Sequence, residues 1–304
     1  MTAVCPDVVV IGDALLDVTA RPASPIRPGA DVPASVRIGL GGQGANLAVR
    51  LARRGARVEL VCALGDDPGA TLVRHALGED GVKLSSVARD ATGTVVILLD
   101  QHGERTMLSQ RAQFAAGVAS AVRDGVAWLV VSGYLLLEAD AKQVAGALAS
   151  AQGRRALVGC AVPDAMADDW ARAAAALRPD LVVLNREEAL TLLPGPSETE
   201  TLVGRLGQRL GTGVVVTEPA GATARLNGLN ATARVPRALS AIDSTGAGDA
   251  FAAALIDSLR RAPWPPSAPA LDAALAAASE LASAVAQAPG AQGRVAGESG
   301  ALRR

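Results

Sequence analysis

Aromatic side chains are nearly missing from this 304-residue sequence, which has two Phe, one Tyr and three Trp. Sites that read bases by stacking need aromatic faces, and only Phe114 and Tyr134 are placed to offer one. Lysine occurs only as Lys83 and Lys142, and neither follows a glycine. A phosphate loop of the Gly-Lys-Ser/Thr type is therefore excluded, and the protein-kinase signatures are absent as well. Histidine is limited to His75 and His102, which leaves little material for a His-based metal site or a Ser-His-Asp triad. His102 lies in the polar run Gln101-His102-Gly103-Glu104 and reads as an exposed turn. Cys5, Cys62 and Cys160 are odd in number, far apart and without metal spacing. They read as reduced core thiols of a cytoplasmic protein. A net charge of −1 argues against nucleic-acid and membrane partners. No uninterrupted apolar run reaches spanning length, and the longest, 126–137, reads as a buried strand with its turn. Residues 1–7 lack a signal-peptide pattern.

What the chain has is aliphatic. Half of its residues are hydrophobic, mostly Ala, Val and Leu, enough for one large domain or two small ones. Short β-branched runs at 8–11, 58–62, 129–132, 157–159, 181–184 and 214–217 predict strands. Segments of helical spacing at 45–54, 69–78, 139–151, 168–177, 187–192, 199–210, 246–261 and 271–288 alternate with them. Continuous apolar strands interleaved with helices predict a mostly parallel sheet covered on both faces. Two stretches break the rhythm. Residues 17–39 are rich in Pro, Arg and Asp, and 94–100 with 105–108 form a hairpin pattern. They read as a small β lid over the sheet's C-terminal edge, where such sheets bind ligands; an ordinary edge hairpin is the plainer alternative. A late hairpin pairs 222–226 with 231–235, and 263–269 is a Pro-rich loop.

The densest chemical signal is Asp243-Ser244-Thr245-Gly246-Ala247-Gly248-Asp249-Ala250-Phe251, followed by an Ala-rich helical run. Glycines opening a helix leave unpaired N–H groups aimed outward, with the positive end of the helix dipole behind them. That is an anion site suited to phosphate. Asp249 sets a carboxylate inside it, placed to take a proton from an attacking hydroxyl. In isolation, Gly-x-Gly-Asp would read as a packed turn with a first-turn acid.

The complete string resembles the C-terminal signature of the PfkB, or ribokinase-like, family of carbohydrate and nucleoside kinases. Gly41-Gly42-Gln43-Gly44-Ala45-Asn46-Leu47-Ala48 resembles that family's other signature, and Asn185-Arg186-Glu187-Glu188 its Asn-x-x-Glu element. The resemblance runs from about residue 8 to residue 290. It implies a ribokinase-like three-layer α/β/α fold with a mostly parallel central sheet and a small β lid. The implied kinase domain is 1–292, with lid insertions near 14–39 and 92–111 and a flexible tail at 293–304. It implies ATP-dependent phosphoryl transfer to a hydroxyl of a small sugar or sugar derivative. Asp249 would be the general base, and Gly246, Ala247 and Gly248 would form the anion hole. Asp13, Gly41, Gly42, Asn46 and Arg111 would bind the acceptor. Asn185, Thr217, Gly221 and Gly248 would bind the nucleotide. Glu188 would hold Mg2+ through water, and Asp243 and Thr245 fall where relatives ligate a monovalent cation such as K+. For Asp13 a strand-terminal turn acid, for Asp243 a cap, and for Asn185 and Glu188 a helix start remain the plain readings.

The sequence departs from the family pattern at three places. Gln43 stands where many sugar kinases carry lysine. Pro219 replaces a glycine before Gly221, and proline removes a donor. Ala112 and Gln113 replace a glycine and an asparagine after Arg111. Arg105 and Arg111 would meet an acceptor that carries phosphate or carboxylate. The acceptor stays open between a neutral sugar, an acidic or phosphorylated sugar and a nucleoside. A catalytically weak nucleotide- or metabolite-binding regulator on the same fold is the rival from another class. The short lid strands predict pairing with a second copy into a homodimer.

Overall fold

The computed structural model describes residues 5–100, 104–111, 125–195, 198–235 and 245–288, together with 293, 295 and 298. The chain opens with β1 (Val8–Ile11), then β2 (Leu15–Pro22), β3 (Ala34–Gly41), α1 (Gln43–Arg53), β4 (Val58–Leu64), α2 (Pro68–Glu79) and β5 (Lys83–Ala88). β6 (Thr94–Leu99), β7 (Arg105–Gln110) and β8 (Trp128–Ser132) follow, the last running into a 3-10 turn at Gly133–Leu137. Then come α3 (Ala141–Leu148), β9 (Arg154–Val158), α4 (Ala167–Leu177), β10 (Leu181–Asn185), α5 (Arg186–Leu192) and α6 (Thr199–Leu210). β11 (Gly213–Glu218), β12 (Gly221–Leu226), β13 (Leu229–Arg234), α7 (Ala247–Arg261) and α8 (Ala268–Ala286) complete the described elements.

Nine strands form one sheet in the order β13-β12-β11-β10-β9-β8-β1-β4-β5. It is parallel from β5 to β11, and β12 and β13 extend it antiparallel. β1 shows why both faces must be covered. Val8 and Val10 point into a core shared with α1, α2, α7 and α8. Val9 and Ile11 point into a second core shared with α3, α4, α5 and α6. A strand buried on both sides has no polar face, which is why its sequence is a continuous apolar run.

The second sheet is the lid, in the order β3-β2-β6-β7. β2 leaves the end of β1 after three residues, so the lid rises from the C-terminal edge of the large sheet. Its alternation is legible in the register. Asp17, Val95 and Ser109 share one face; Val18, Ile38, Val96 and Leu108 share the other. Leu15, Val95 and Ile97 bury the first face in a small core of their own. Val36, Ile38 and Leu108 are 57–61% exposed on the second.

Some expectations change. β5 was not legible in the sequence, because Lys83-Leu84-Ser85-Ser86 is half-exposed and polar on an edge strand. Cys62 and Cys160 are buried, but Cys5 is exposed and is not a core thiol. α8 is long and apolar enough to cross a membrane by length and composition. Yet it packs along α7 and β13, and Leu271, Leu275 and Val285 are fully buried in the core. In the expected flexible tail, Val295 lies against the core, and Glu298 accepts two 2.8 Å bonds from the buried Arg50 of α1.

Candidate active site

The candidate acceptor side is built where β1 ends. A methyl group on Gly12 would come within 2.8 Å of the Gly44 Cα, and one on Gly44 within 2.6 Å of the Gly12 carbonyl carbon. Glycine at both positions lets the first turn of α1 lie backbone to backbone on the strand end. Gly42 is the N-cap with φ 95°, a region closed to most side chains. Asp13 ties this turn down. Its carbonyl accepts from Ala45 N at 3.0 Å and its Oδ1 from Gly44 N at 3.3 Å. Asp13 Oδ2 accepts from Arg111, whose guanidinium lies 3.7 Å from the centre of the Tyr134 ring. Asp13 and Asn46 are both buried.

Sequence reasoning missed Asp17. Its carboxylate, on the inward face of β2, fills the space where Gly41 has no side chain. Burial and the nearby Asp13 push Asp17 up to about 6, while Arg111 pulls it down. The available signal was the spacing Asp13-Ala14-Leu15-Leu16-Asp17. Asp17 lies four residues past Asp13 on a strand, so it rejoins the pocket from above.

The other half of the site is the start of α7. Gly246 is its N-cap at φ 76°, with no side-chain cap, and Ala247, Gly248 and Asp249 form the first turn. The first intrahelical bond runs from Ala250 N to the Gly246 carbonyl at 2.9 Å. A glycine cap leaves the N–H groups of that turn without a side-chain acceptor, which is the anion-binding condition. Asp249 lies half-buried at the third position of the helix, and Asn46 donates to its Oδ2 at 2.8 Å. Burial pushes Asp249 up to about 7. The Asn46 bond and the Gln43 amide pull it down, and Asp13 and Glu188 push it up.

The remaining candidates lie along the same edge. Asn185 ends β10 and pairs in register with Thr217 of β11. Asn185 and Glu188 form a reciprocal capping box. Glu188 N donates to Asn185 Oδ1 at 2.8 Å, and Asn185 N to Glu188 Oε2 at 2.9 Å. The plain helix-start reading of Asn-x-x-Glu is therefore present in the geometry. The same box turns the Glu188 carboxylate toward Gly159, where an added methyl group would meet Oε2 at 2.6 Å. Burial lifts the Glu188 pKa above its ordinary value. Gly221, at φ 145°, packs against the Ala233 carbonyl of β13, which is reason enough for glycine there. Thr245 accepts a hydrogen bond from Arg105 at the start of β7, so the lid touches the turn before α7. Asp243, Ala112 and Gln113 lie outside the described residues. Among the described residues no group of three His, Cys, Asp or Glu gathers as a direct metal cage.

With this geometry in place, likeness to known proteins becomes informative. Residues 6–296 match the family described as pfkB family carbohydrate kinase. A fructokinase of Klebsiella pneumoniae is 32% identical over 248 residues, 72% of this chain and 76% of that protein. The crystal structure of a ribokinase from Thermotoga maritima superposes with a TM-score of 0.76 over 95% of both chains, at 18% identity. A fructokinase with bound ATP from Xylella fastidiosa gives 0.76 over 95% of this chain and 94% of that one, at 20% identity. The ribokinase-like fold and the pairing of two glycine-rich turns across one sheet edge thus have one common explanation: this chain belongs to the pfkB family of carbohydrate kinases.

Proposed function

We propose that the chain is an ATP-dependent kinase of a small neutral sugar, with Asp249 as the general base. The observation that carries this reading is the 2.8 Å bond from Asn46 to Asp249. It joins the glycine-rich turn of the acceptor side to the anion-binding helix start, so hydroxyl, base and phosphate meet at one point. An Asp held near 7 is half-ionised at neutral pH, the condition in which a general base works best. The sugar hydroxyl gives its proton to Asp249 and attacks the γ-phosphorus of ATP, and ADP leaves with the electron pair of the broken P–O bond. The N–H groups of Ala247, Gly248 and Asp249 face the charge on the transferring group. Fructokinase relatives, one of them holding ATP, support this donor and acceptor class.

Phosphoryl transfer of this type uses magnesium to neutralise phosphate charge. The residues fit such an ion: magnesium takes one or two carboxylates and keeps its waters, and Glu188 offers one carboxylate beside Asn185 and Thr217. On the acceptor side, Asp13, Asp17 and Asn46 suit sugar hydroxyls. Arg111 is already paired with Asp13, so its charge serves that carboxylate rather than an anionic substrate. It also covers one face of Tyr134, the ring a nucleoside base would need for stacking.

The test is transfer from MgATP to a panel of D-fructose, D-ribose and adenosine, with the product identified by phosphorus NMR. A sugar phosphate is expected. Asp249→Asn should fold and bind ATP yet lose about 10²–10⁴-fold in turnover. A variant within a factor of a few of wild type would remove Asp249 from the chemistry.

A further inference from the structure

We propose that Gln43 is a positioning residue, tying the opening turn of α1, and through Asn46 the Asp249 carboxylate, to the ends of β8 and β9. This rests on the reading of Asp249 as the base. Gln43 is the first residue of α1 and does not extend outward. Its Oε1 accepts from Ser132 Oγ at 2.7 Å and from Gly133 N at 3.1 Å. Its Nε2 donates to the Gly159 carbonyl at 2.6 Å. A backbone N–H can only donate and a carbonyl can only accept, so these two partners fix which way the amide points.

The three contacts join parts of the site that the chain itself does not connect. Ser132 ends β8, and Gly159 follows β9 and packs against Glu188 on the donor side. Asn46, one turn along α1 from Gln43, holds Asp249 on the acceptor side. The Gln43 amide also favours the ionised form of Asp249. The other groups that bear on this carboxylate are Asp13 from the β1–β2 turn, Glu188 from α5 and Tyr134 from the turn after β8. Arg111, from the end of the lid, is bonded to Asp13.

Few side chains could replace Gln43. Lysine has no acceptor for Gly133 N. Glutamate has no donor for the Gly159 carbonyl and adds a negative charge beside Asp249. Methionine has the length and neither polar group. The position therefore calls for a neutral side chain that accepts on one edge and donates on the other.

The experiment compares full-length wild type, Gln43→Met and Gln43→Glu. It measures kcat and KM with MgATP and D-fructose across the neutral pH range. It also follows the titration of the Asp249 carboxyl by carbon-13 NMR, assigned as the resonance lost in Asp249→Asn. For Gln43→Met, kcat should fall about 10- to 100-fold, as for a misplaced reacting group. Both KM values should stay within about threefold. The Asp249 titration should move up by roughly half a pH unit or more as the amide that favours the ionised form is removed and the Asn46 bond loosens. Gln43→Glu should move it further. Gln43→Asn, one methylene short, should behave like Met and serves if Met does not fold. The carboxyl titration decides the matter even if D-fructose is not turned over.

A folded Gln43→Met with wild-type kcat and an unmoved titration would overturn the proposal. So would a rise in acceptor KM with kcat intact, which would make Gln43 a substrate contact. An active Asp249→Asn alongside a shifted titration would instead overturn the base and leave the Gln43 link standing.

Discussion

Asn46 and Asp249 are 203 positions apart, yet their side chains bond at 2.8 Å. Each was legible as a motif residue, but no local pattern says that two side chains on different helices will touch. Asp17 was harder still, because its strand belongs to the weakly alternating lid. The pocket also changes the meaning of Arg111. In the sequence it is a loop arginine that could meet an anionic acceptor; in the fold it is the counter-ion of Asp13 and lies on Tyr134. Arg111→Ala should therefore raise KM even for neutral D-fructose, by about 10- to 150-fold, the worth of a charge-assisted bond of roughly 1.5–3 kcal/mol. Its kcat should change little. A loss confined to acidic or phosphorylated sugars, measured on the same variant, would return Arg111 to the role of an anion receptor.

At the scale of elements, the fold was legible wherever one rule sufficed. β1, β8 and β10 are largely apolar runs because they are buried on both faces. Edge strands obey no such rule, and β5 escaped notice for that reason. Asn185-x-x-Glu188 puts a helix cap and a carboxylate on one spacing. The capping box satisfies the start of α5, and the same geometry turns the Glu188 carboxylate toward Gly159. If the box served the helix alone, Glu188→Gln would leave catalysis untouched, since glutamine also completes a capping box. We expect instead that Glu188→Gln keeps its fold and raises the magnesium concentration needed for half activity by about tenfold or more. An unchanged magnesium titration would show that the carboxylate serves only the helix.

Across the whole molecule, a large sheet supplies the floor of the site and a four-stranded lid stands over it. The lid's inner face carries Asp17 and reaches the α7 turn through Arg105. Its outer face exposes Val36, Ile38 and Leu108, apolar surface of the kind that marks an interaction site. We propose that a second copy covers it. Sedimentation should show a dimer at micromolar concentration, and Ile38→Asp should weaken self-association by about tenfold or more, since burying an unpaired charge is costly. A wild-type monomer would refute the dimer and leave the lid's inner face as described. Burial, with Asp13 and Glu188 nearby, holds Asp249, the proposed base, near 7 rather than in the usual range. A base must be ionised to act, so activity should be present above that value and lost as pH falls through it. The most direct test is the pH dependence of kcat/KM for the acceptor, which reports ionisations of the free enzyme. We expect an acidic limb that bends near 7. A limb bending near the ordinary aspartate value of about 4, or no bend down to that value, would contradict the account.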